Sequence, residues 1–306
     1  MLKDVLWCAE GHEIPCPWCG GTDLAPHIHE EFAWVTISIQ RCRTCGHRFA
    51  NPCPTPEAAA KHYNAGYLKQ ARTALPASLD DVFDPGSIWA AKMRHYAHFL
   101  SKLPPLPDNI RLIDDGCSWG GLMASAQKRF PGARCTGVDL AAPAVKFAEE
   151  TFGVDGFVGT LADYVAAHPD ERFDLVLSSH CLEHSLTLRD SIAAFAHVLA
   201  PGGRLALTLP NHDSFLRKQM GGFSPAIRGG NHYHFFGAEF LRMALEEYGI
   251  TVERTFTSTE VSPYRETVLV RLKEAKDARA EADNPLAEVD ADGEGEFLYV
   301  MGRRRG

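Results

Sequence analysis

Long apolar runs are missing from this chain. No stretch approaches the ~20 consecutive apolar residues that a membrane-spanning helix needs. The opening residues, MLKDVLWCAEGHE, hold no apolar run of signal-peptide length. The cytoplasm is the expected setting, without a membrane partner. Positive charge is also scarce: 31 Lys and Arg against 39 Asp and Glu leave a net charge of −8. That balance gives no electrostatic footprint for nucleic acid. Disulfides are not expected in the cytoplasm, so nine cysteines point to thiol or metal chemistry. With 306 residues, 45% of them apolar and 23% charged, there is room for one large globular domain, or one plus a small module.

The cysteines are clustered. Cys16 and Cys19 form one C-x2-C pair and Cys42 and Cys45 another, with Gly20 and Gly46 directly after each. A C-x2-C loop puts two thiolates on one side of a tight turn, and two such turns make a tetrahedral Zn2+ cage. The intervening HIHEEFAWVTISIQRC alternates apolar and polar residues, as the hairpin of a zinc ribbon does. Four cysteines leave no open position on the metal, which makes the site structural. His12 and His47 are bystanders or a substitute ligand. Segment 1–55 carries four Lys or Arg against six Asp or Glu, so a partner surface or lid is expected of it before RNA binding.

A stiff exit, NPCPTPE, leads into 56–107, read as a helical connector or lid. Thr55 followed by Pro56 predicts a helix start and a helix to about Tyr63. A second helix is expected over 87–103, before PPLPDN opens the main domain at 108–306. There strand and helix alternate, predicting a parallel sheet with helices on both faces. The first strand is read as ending at Asp114, the second at Asp139, with PGG (201–203) as a turn. Residues 211–237 read as an insertion on the substrate side. Residues 274–296, with nine acids, read as a solvated insertion before the final strand.

The chemistry concentrates in RLIDDGCSWGG, residues 111–121. A strand, an acid, a glycine-rich turn and a helix suit a ligand held at the strand's carboxyl end. A dinucleotide would need G-x-G-x-x-G, but Ser118 interrupts it. Asp114, just before the first glycine, would repel a pyrophosphate and suits a cationic or amine-bearing ligand. Asp139, at the end of the second strand, suits a ribose diol under either reading.

LIDDGCSWG, TGVDLA, FDLVLSSHCLEH and LAPGGRLALTLPN occur in the order and spacing of class I S-adenosylmethionine-dependent methyltransferases, and the chain resembles that family over about residues 108–260. Cys42 to Glu57 also resembles the lead-in of bacterial methyltransferases that carry an amino-terminal zinc ribbon. The resemblance implies a Rossmann-like, seven-stranded α/β sheet beside a zinc-ribbon module. It implies S-adenosylmethionine, with S-adenosylhomocysteine as product. Asp114 would engage the methionine amine, with Gly116, Cys117, Ser118 and Gly120 passing beneath the cofactor. Asp139 and Leu140 would meet the ribose, and Thr160 and Leu161 the adenine, near Asp163. Ser179 and His180 would flank the transferring methyl. Ser118 and the bulky Trp119 depart from the family pattern and are expected to crowd the turn.

A hydroxyl or amine acceptor also needs a base. The candidates are His180, Glu183, His184, His212, His232 and His234, and the resemblance of LEH (182–184) to the equivalent segment of zinc-containing nucleotide-sugar C-methyltransferases implies His184, then Glu183. Cys117 and Cys181 are expected to be small core residues. The expected acceptor is a small molecule: a sugar, nucleotide-sugar or secondary metabolite. An rRNA base methyltransferase and a non-catalytic S-adenosylmethionine-binding module are the alternatives. Because ~50 residues bury too little core to be stable alone, isolated segment 1–55 is expected to be unfolded without zinc. A zinc-free sample with normal NMR dispersion would contradict this.

Overall fold

The computed structural model describes residues 11–32, 35–55, 75–224, 227 and 232–306. The helix expected up to Tyr63 lies outside the described residues. Two sheets organise the chain. The first is antiparallel, β1 (Leu24–Phe32), β2 (Val35–Cys42) and β3 (Arg48–Ala50) in sequence order. It is the hairpin that the alternating pattern predicts.

The second sheet has seven strands: β4 (Arg111–Asp115), β5 (Arg134–Asp139), β6 (Asp155–Val158), β7 (Phe173–Ser179), β8 (Leu199–Pro210), β9 (Ile250–Ser258) and β10 (Phe297–Arg304). Their order is β6-β5-β4-β7-β8-β10-β9. The first five are parallel, and β10 runs antiparallel to both β8 and β9. Helices cover both faces, so the central strands are apolar on successive residues. Leu112 and Ile113, and Leu175 to Leu177, are completely buried. Leu112 packs with Phe99 of α2 (Ile88–Ser101) and Leu122 of α3 (Gly121–Arg129). Ile113 packs on the opposite face with Ile192 and Phe195 of α6 (Leu188–Val198). Each such side chain contributes about 1.5–3 kcal/mol through burial. The remaining parallel crossovers are α4 (Ala142–Phe152) and α5 (Leu161–Ala167), and α1 (Leu79–Phe83) precedes α2. Among the described residues, no helix is long and apolar enough to cross a membrane.

Three expectations change. Strand β4 extends through Asp115, one residue further than read. The PGG segment falls inside β8: Phe173 pairs with Leu199 but Leu175 with Arg204, so 200–203 loop out of the ladder as an irregularity. The acidic segment is folded. α9 (Arg265–Glu274) and α10 (Pro285–Ala291) pack Val268, Leu272, Leu286 and Val289 against Phe215 and Leu216 of α7 (Phe215–Met220). Its acids are partly neutralised by Arg279, whose guanidinium lies 2.7 Å from Asp277, 2.9 Å from Asp292 and 2.7 Å from Glu294. An apolar i, i+3 pair within the acidic run, Leu286 and Val289, was the available signal.

The amino-terminal sheet shares the main core. Cys16, Trp18, Cys42 and Phe49 pack with Phe236 and Phe240, the latter on α8 (Ala238–Glu247). Trp18 meets Phe240 edge-on at 5.6 Å and carries the Arg189 guanidinium 4.6 Å above its ring. The β3 backbone is tied to 233–235: Ala50 N donates to Tyr233 O at 2.9 Å, and Phe235 N to Arg48 O at 3.0 Å. Two imidazole pairs cross the same interface, His27–His212 at 2.8 Å and His47–His234 at 2.9 Å.

This clasp predicts a loss of stability on acidification. Burial, then the charges of Arg48, Arg217 and Arg41, lowers His27 from the usual 6.5 to about 4. Burial, then Arg48 and Arg217, lowers His212 to about 2. Each imidazole binds a proton more readily in the unfolded chain, so stability rises with pH in this range and falls on acidification. The loss begins near pH 6.5 and, for His27, is complete near 4. Thermal melts across that window should show a falling midpoint, with a shallower slope in H27Q/H212Q. An unchanged slope in the double variant would remove this pair as a cause.

Candidate active site

The glycine-rich turn joins β4 to α3 along the carboxyl ends of the parallel strands. Gly116, Ser118 and Gly120 all have positive φ, at 81°, 48° and 88°. The amides of Gly116 and Cys117 both donate to Val138 O, at 2.9 and 3.0 Å. A Cβ on Gly116 would lie 2.7 Å from Cys181 Cβ, so only glycine lets the turn pass against the end of β7. Ser118 accepts a left-handed conformation that costs an L-residue about 1–2 kcal/mol. Its amide is held 2.9 Å from Asp139 Oδ2, while Ala141 N donates to Asp139 Oδ1 at 2.8 Å. Trp119 does crowd the turn as expected: a Cβ on Gly121 would come within 2.4 Å of its ring. Its fully buried ring packs among Tyr96 and Phe152, with centroids 6.4 and 6.2 Å away.

Three acids line this rim, Asp114 and Asp115 buried and Asp139 half-buried. Side chains alternate along a strand, so Asp114 follows Leu112 onto the α2/α3 face and Asp115 follows Ile113 onto the other. Asp114 is 1% exposed and neither carboxylate oxygen has a hydrogen-bond partner. Burial, then the neighbouring Asp115 and Asp139, raises it well above the usual carboxylate range. Burial raises Asp115 to about 7, against hydrogen bonds from Cys181 and Ser178. Asp139 is also raised by burial, against the amides of Ala141, Ser118 and Leu140. An unpartnered buried carboxyl is costly, and a ligand cation would relieve it.

The other expected cofactor residues spread along the same strand ends. Leu140 follows β5 and is 54% exposed; Val158, which the sequence reading missed, ends β6 and is 52% exposed. Two bare aliphatic side chains on neighbouring strand ends form an apolar shelf. Thr160 caps α5, with its hydroxyl donating to Asp163 Oδ2 at 2.7 Å. Leu161 sinks into the core, so its side chain is withdrawn from the surface. Cys117 is buried against Gly137 as expected, whereas Cys181, against Gly116, is only half-buried rather than a core residue.

Ser179 ends β7, and His180 follows with φ 53°, its amide donating to Thr208 O at 2.9 Å. A 3-10 turn, Leu182–His184, then presents Glu183. This carboxylate is 1% exposed, with no formed hydrogen bond at either oxygen. His180 Nδ1 stands 3.4 Å and His184 Nε2 3.9 Å from Oε1, at ion-pair distances. Burial opposes ionisation of Glu183, but His180, then the fields of His184 and His232, outweigh it and lower Glu183 to about 2. His232 stacks edge-on with His184 at 4.8 Å. Two other candidates lie apart. His234 has both ring nitrogens committed, to His47 and to Ser185 O at 2.7 Å, and His212 is paired with His27. His95 of α2 was missed: it is 8% exposed, its ring 5.4 Å from His180, and neither nitrogen has a hydrogen-bond partner. On an apolar helix face a histidine reads as packing.

At the other end of the chain Cys16, Cys19, Cys42 and Cys45 converge, with ligand atoms all within 4.8 Å of one another. Cys16–Cys45 and Cys19–Cys42 sulfurs are 3.5 Å apart. Sulfurs ~2.3 Å from a common tetrahedral Zn2+ sit slightly farther apart than that, so the four can hold one. Gly20 and Gly46, with φ 72° and 76°, turn each knuckle back. His47 is buried against His234, a bystander to the thiols.

A profile of the methyltransferase domain family matches residues 89–255, and the chain belongs to that family. It is 34% identical over 129 residues to a trans-aconitate 2-methyltransferase of Streptomyces avermitilis, covering 40% of this chain and 48% of the relative. It is 32% identical over 139 residues to a ubiquinone biosynthesis O-methyltransferase of Xylella fastidiosa, covering 44% and 52%. The chain thus spans about half the length of these curated relatives. Among solved structures, a phosphoethanolamine N-methyltransferase 2 of Haemonchus contortus in complex with S-adenosyl-L-methionine aligns with TM-score 0.55 and 16% identity, covering 91% of this chain and 71% of that one. A geranyl diphosphate C-methyltransferase from Streptomyces coelicolor aligns with TM-score 0.51 and 19% identity, covering 82% and 99%. The fold is the Rossmann-like one of class I S-adenosylmethionine-dependent methyltransferases.

The turn can be tested with paired alanines. Gly116→Ala combines positive φ with the Cys181 clash, whereas Gly153→Ala, at φ 63° with nothing within 4 Å, carries only the conformational cost. Gly153→Ala should cost about 1 kcal/mol in denaturant unfolding, and Gly116→Ala clearly more. Equal losses would show that the turn relaxes away from β7.

Proposed function

We propose that the protein transfers a methyl group from S-adenosylmethionine to a small-molecule acceptor at the carboxyl ends of β4, β5 and β7. We propose too that 1–55 is a zinc-ribbon module with a structural Zn2+ on Cys16, Cys19, Cys42 and Cys45, followed by a connector at 56–107. The domain 108–306 would carry the chemistry, with 211–237 on its substrate side and 274–296 as an addition before β10.

The observation that carries the reading is Asp114: a carboxyl buried without a partner where a cationic ligand would lie. Asp114 would hold the amine, while Gly116, Cys117, Ser118 and Gly120 give the ligand a backbone floor. Asp139, fixed by two amides, would accept from the ribose hydroxyls with its remaining lone pairs. Leu140 and Val158 would cover the adenine, with Thr160 at its edge. Bound there, S-adenosylmethionine supplies a methyl group already activated by its positive sulfur. Ser179 and His180 would border the acceptor, which needs only to be held in line and freed of its proton. Glu183 faces His180 at closer range than His184. We therefore assign His180 as the base, oriented through Nδ1 and taking the acceptor's proton on Nε2, with Glu183 stabilising the imidazolium. The names of the curated relatives support an acceptor of small-molecule size.

Calorimetric titration with S-adenosylhomocysteine tests the site. Asp139→Ala should weaken binding by about 2 kcal/mol or more through two lost charge-assisted hydrogen bonds. Asp114→Asn should weaken it too, with the fold retained. Unchanged affinity in both variants, or no uptake by the wild type, would refute the reading.

A further inference from the structure

The cluster formed by Glu183, His184 and His232 does more than neighbour a base. We propose that it is a second metal site, holding one divalent transition-metal ion at the acceptor side of the crevice. Its ligand atoms, one from each residue, all lie within 4.8 Å of one another. Donors ~2.1 Å from a common ion sit ~3–3.5 Å apart, so small side-chain rotations close the set around an ion.

The backbone brings these residues together. The 3-10 turn presents Glu183 and His184 consecutively. The carbonyl of Glu183 then accepts the amides of Tyr233 at 2.8 Å and His234 at 3.2 Å, which docks the His232 segment alongside. The independent observation is Glu183 itself, 1% exposed, neither oxygen hydrogen-bonded, and facing imidazoles rather than an arginine or lysine. A buried carboxylate of that kind requires a compensating positive charge. A metal ion satisfies the carboxylate and both imidazoles together, and His180 at 3.4 Å becomes a neighbour that orients the ligating carboxylate.

Two imidazoles and one carboxylate are borderline donors. They favour Zn2+, Co2+ or Fe2+ over the hard, all-oxygen ions Mg2+ and Ca2+. Three protein ligands leave coordination positions open, unlike the four-cysteine cage. Resting on the proposed methyl transfer for its purpose, the site would take acceptors offering two adjacent oxygens, such as a hydroxy-acid or a vicinal diol, and would favour ionisation of the hydroxyl. Metal binding itself does not depend on that reading.

Cobalt(II) separates the two sites by colour. Added to full-length protein carrying a single equivalent of Zn2+, which the four-cysteine cage takes first, Co2+ should bind with one further equivalent and give weak visible ligand-field absorption, without the intense thiolate charge-transfer band of a cysteine site. His232→Ala and Glu183→Gln should each weaken that equivalent by at least about tenfold, while S-adenosylhomocysteine affinity, read on the same samples, reports the cofactor site separately. If Glu183→Gln fails to fold, His232→Ala, whose side chain is only half buried, carries the test. A wild type that takes up no Co2+ without a thiolate band would overturn the second site, as would binding left unchanged in His232→Ala.

Discussion

Carboxylates buried without fixed partners set the character of this molecule. They are Asp114 and Glu183, at one rim of the main sheet, beside Asp115 and Asp139, whose oxygens accept from Ser178 and from the amides of Ser118 and Ala141. Around Asp114 and Glu183 the fold provides backbone amides, thiols and imidazoles but no arginine or lysine contact among the described residues. Burying charge in this way is unfavourable by several kcal/mol unless something arrives to balance it. The unbalanced carboxylates are concentrated at this rim, and the rest of the architecture holds it in shape.

The amino-terminal sheet takes part in that task. Its strand β3 pairs with the 233–235 segment, and the same segment is clamped from the other side by the Glu183 carbonyl. The cysteine knuckles, the β3 backbone and the histidine-bearing rim thus form one mechanical chain. Trp18, trapped between Arg189 and Phe240, fixes the module's position, so a cysteine cage distant from the crevice still sets where His232 stands.

Much of this was legible in the sequence. Consecutive apolar runs announced the parallel strands, and the two C-x2-C pairs with trailing glycines announced the knuckles. Asp114 and Asp139 stood out because acids rarely end a buried strand without a ligand. What stayed hidden is tertiary. The pairing of His47 with His234, 187 positions away, has no local signature, so His234 read as a reactive group. Trp119 does sit on the turn, against Gly121, but sequence does not show that its ring is also buried among Tyr96 and Phe152. Glu183 and His184 were visible as a pair, but the approach of His232 depends on a backbone contact across the fold. The acidic run hid the helix α10 because its charges outweighed the sparse apolar pair that anchors it.

The location of β10 has a consequence for how the chain is made. Residues 297–304 insert antiparallel between β8 and β9, and Tyr299, Val300 and Leu298 are buried there. Until that segment leaves the ribosome, β8 and β9 each present an open edge with unpaired amides and carbonyls. Between completing β9 and adding 297–304, the nascent protein therefore carries two sticky strand edges.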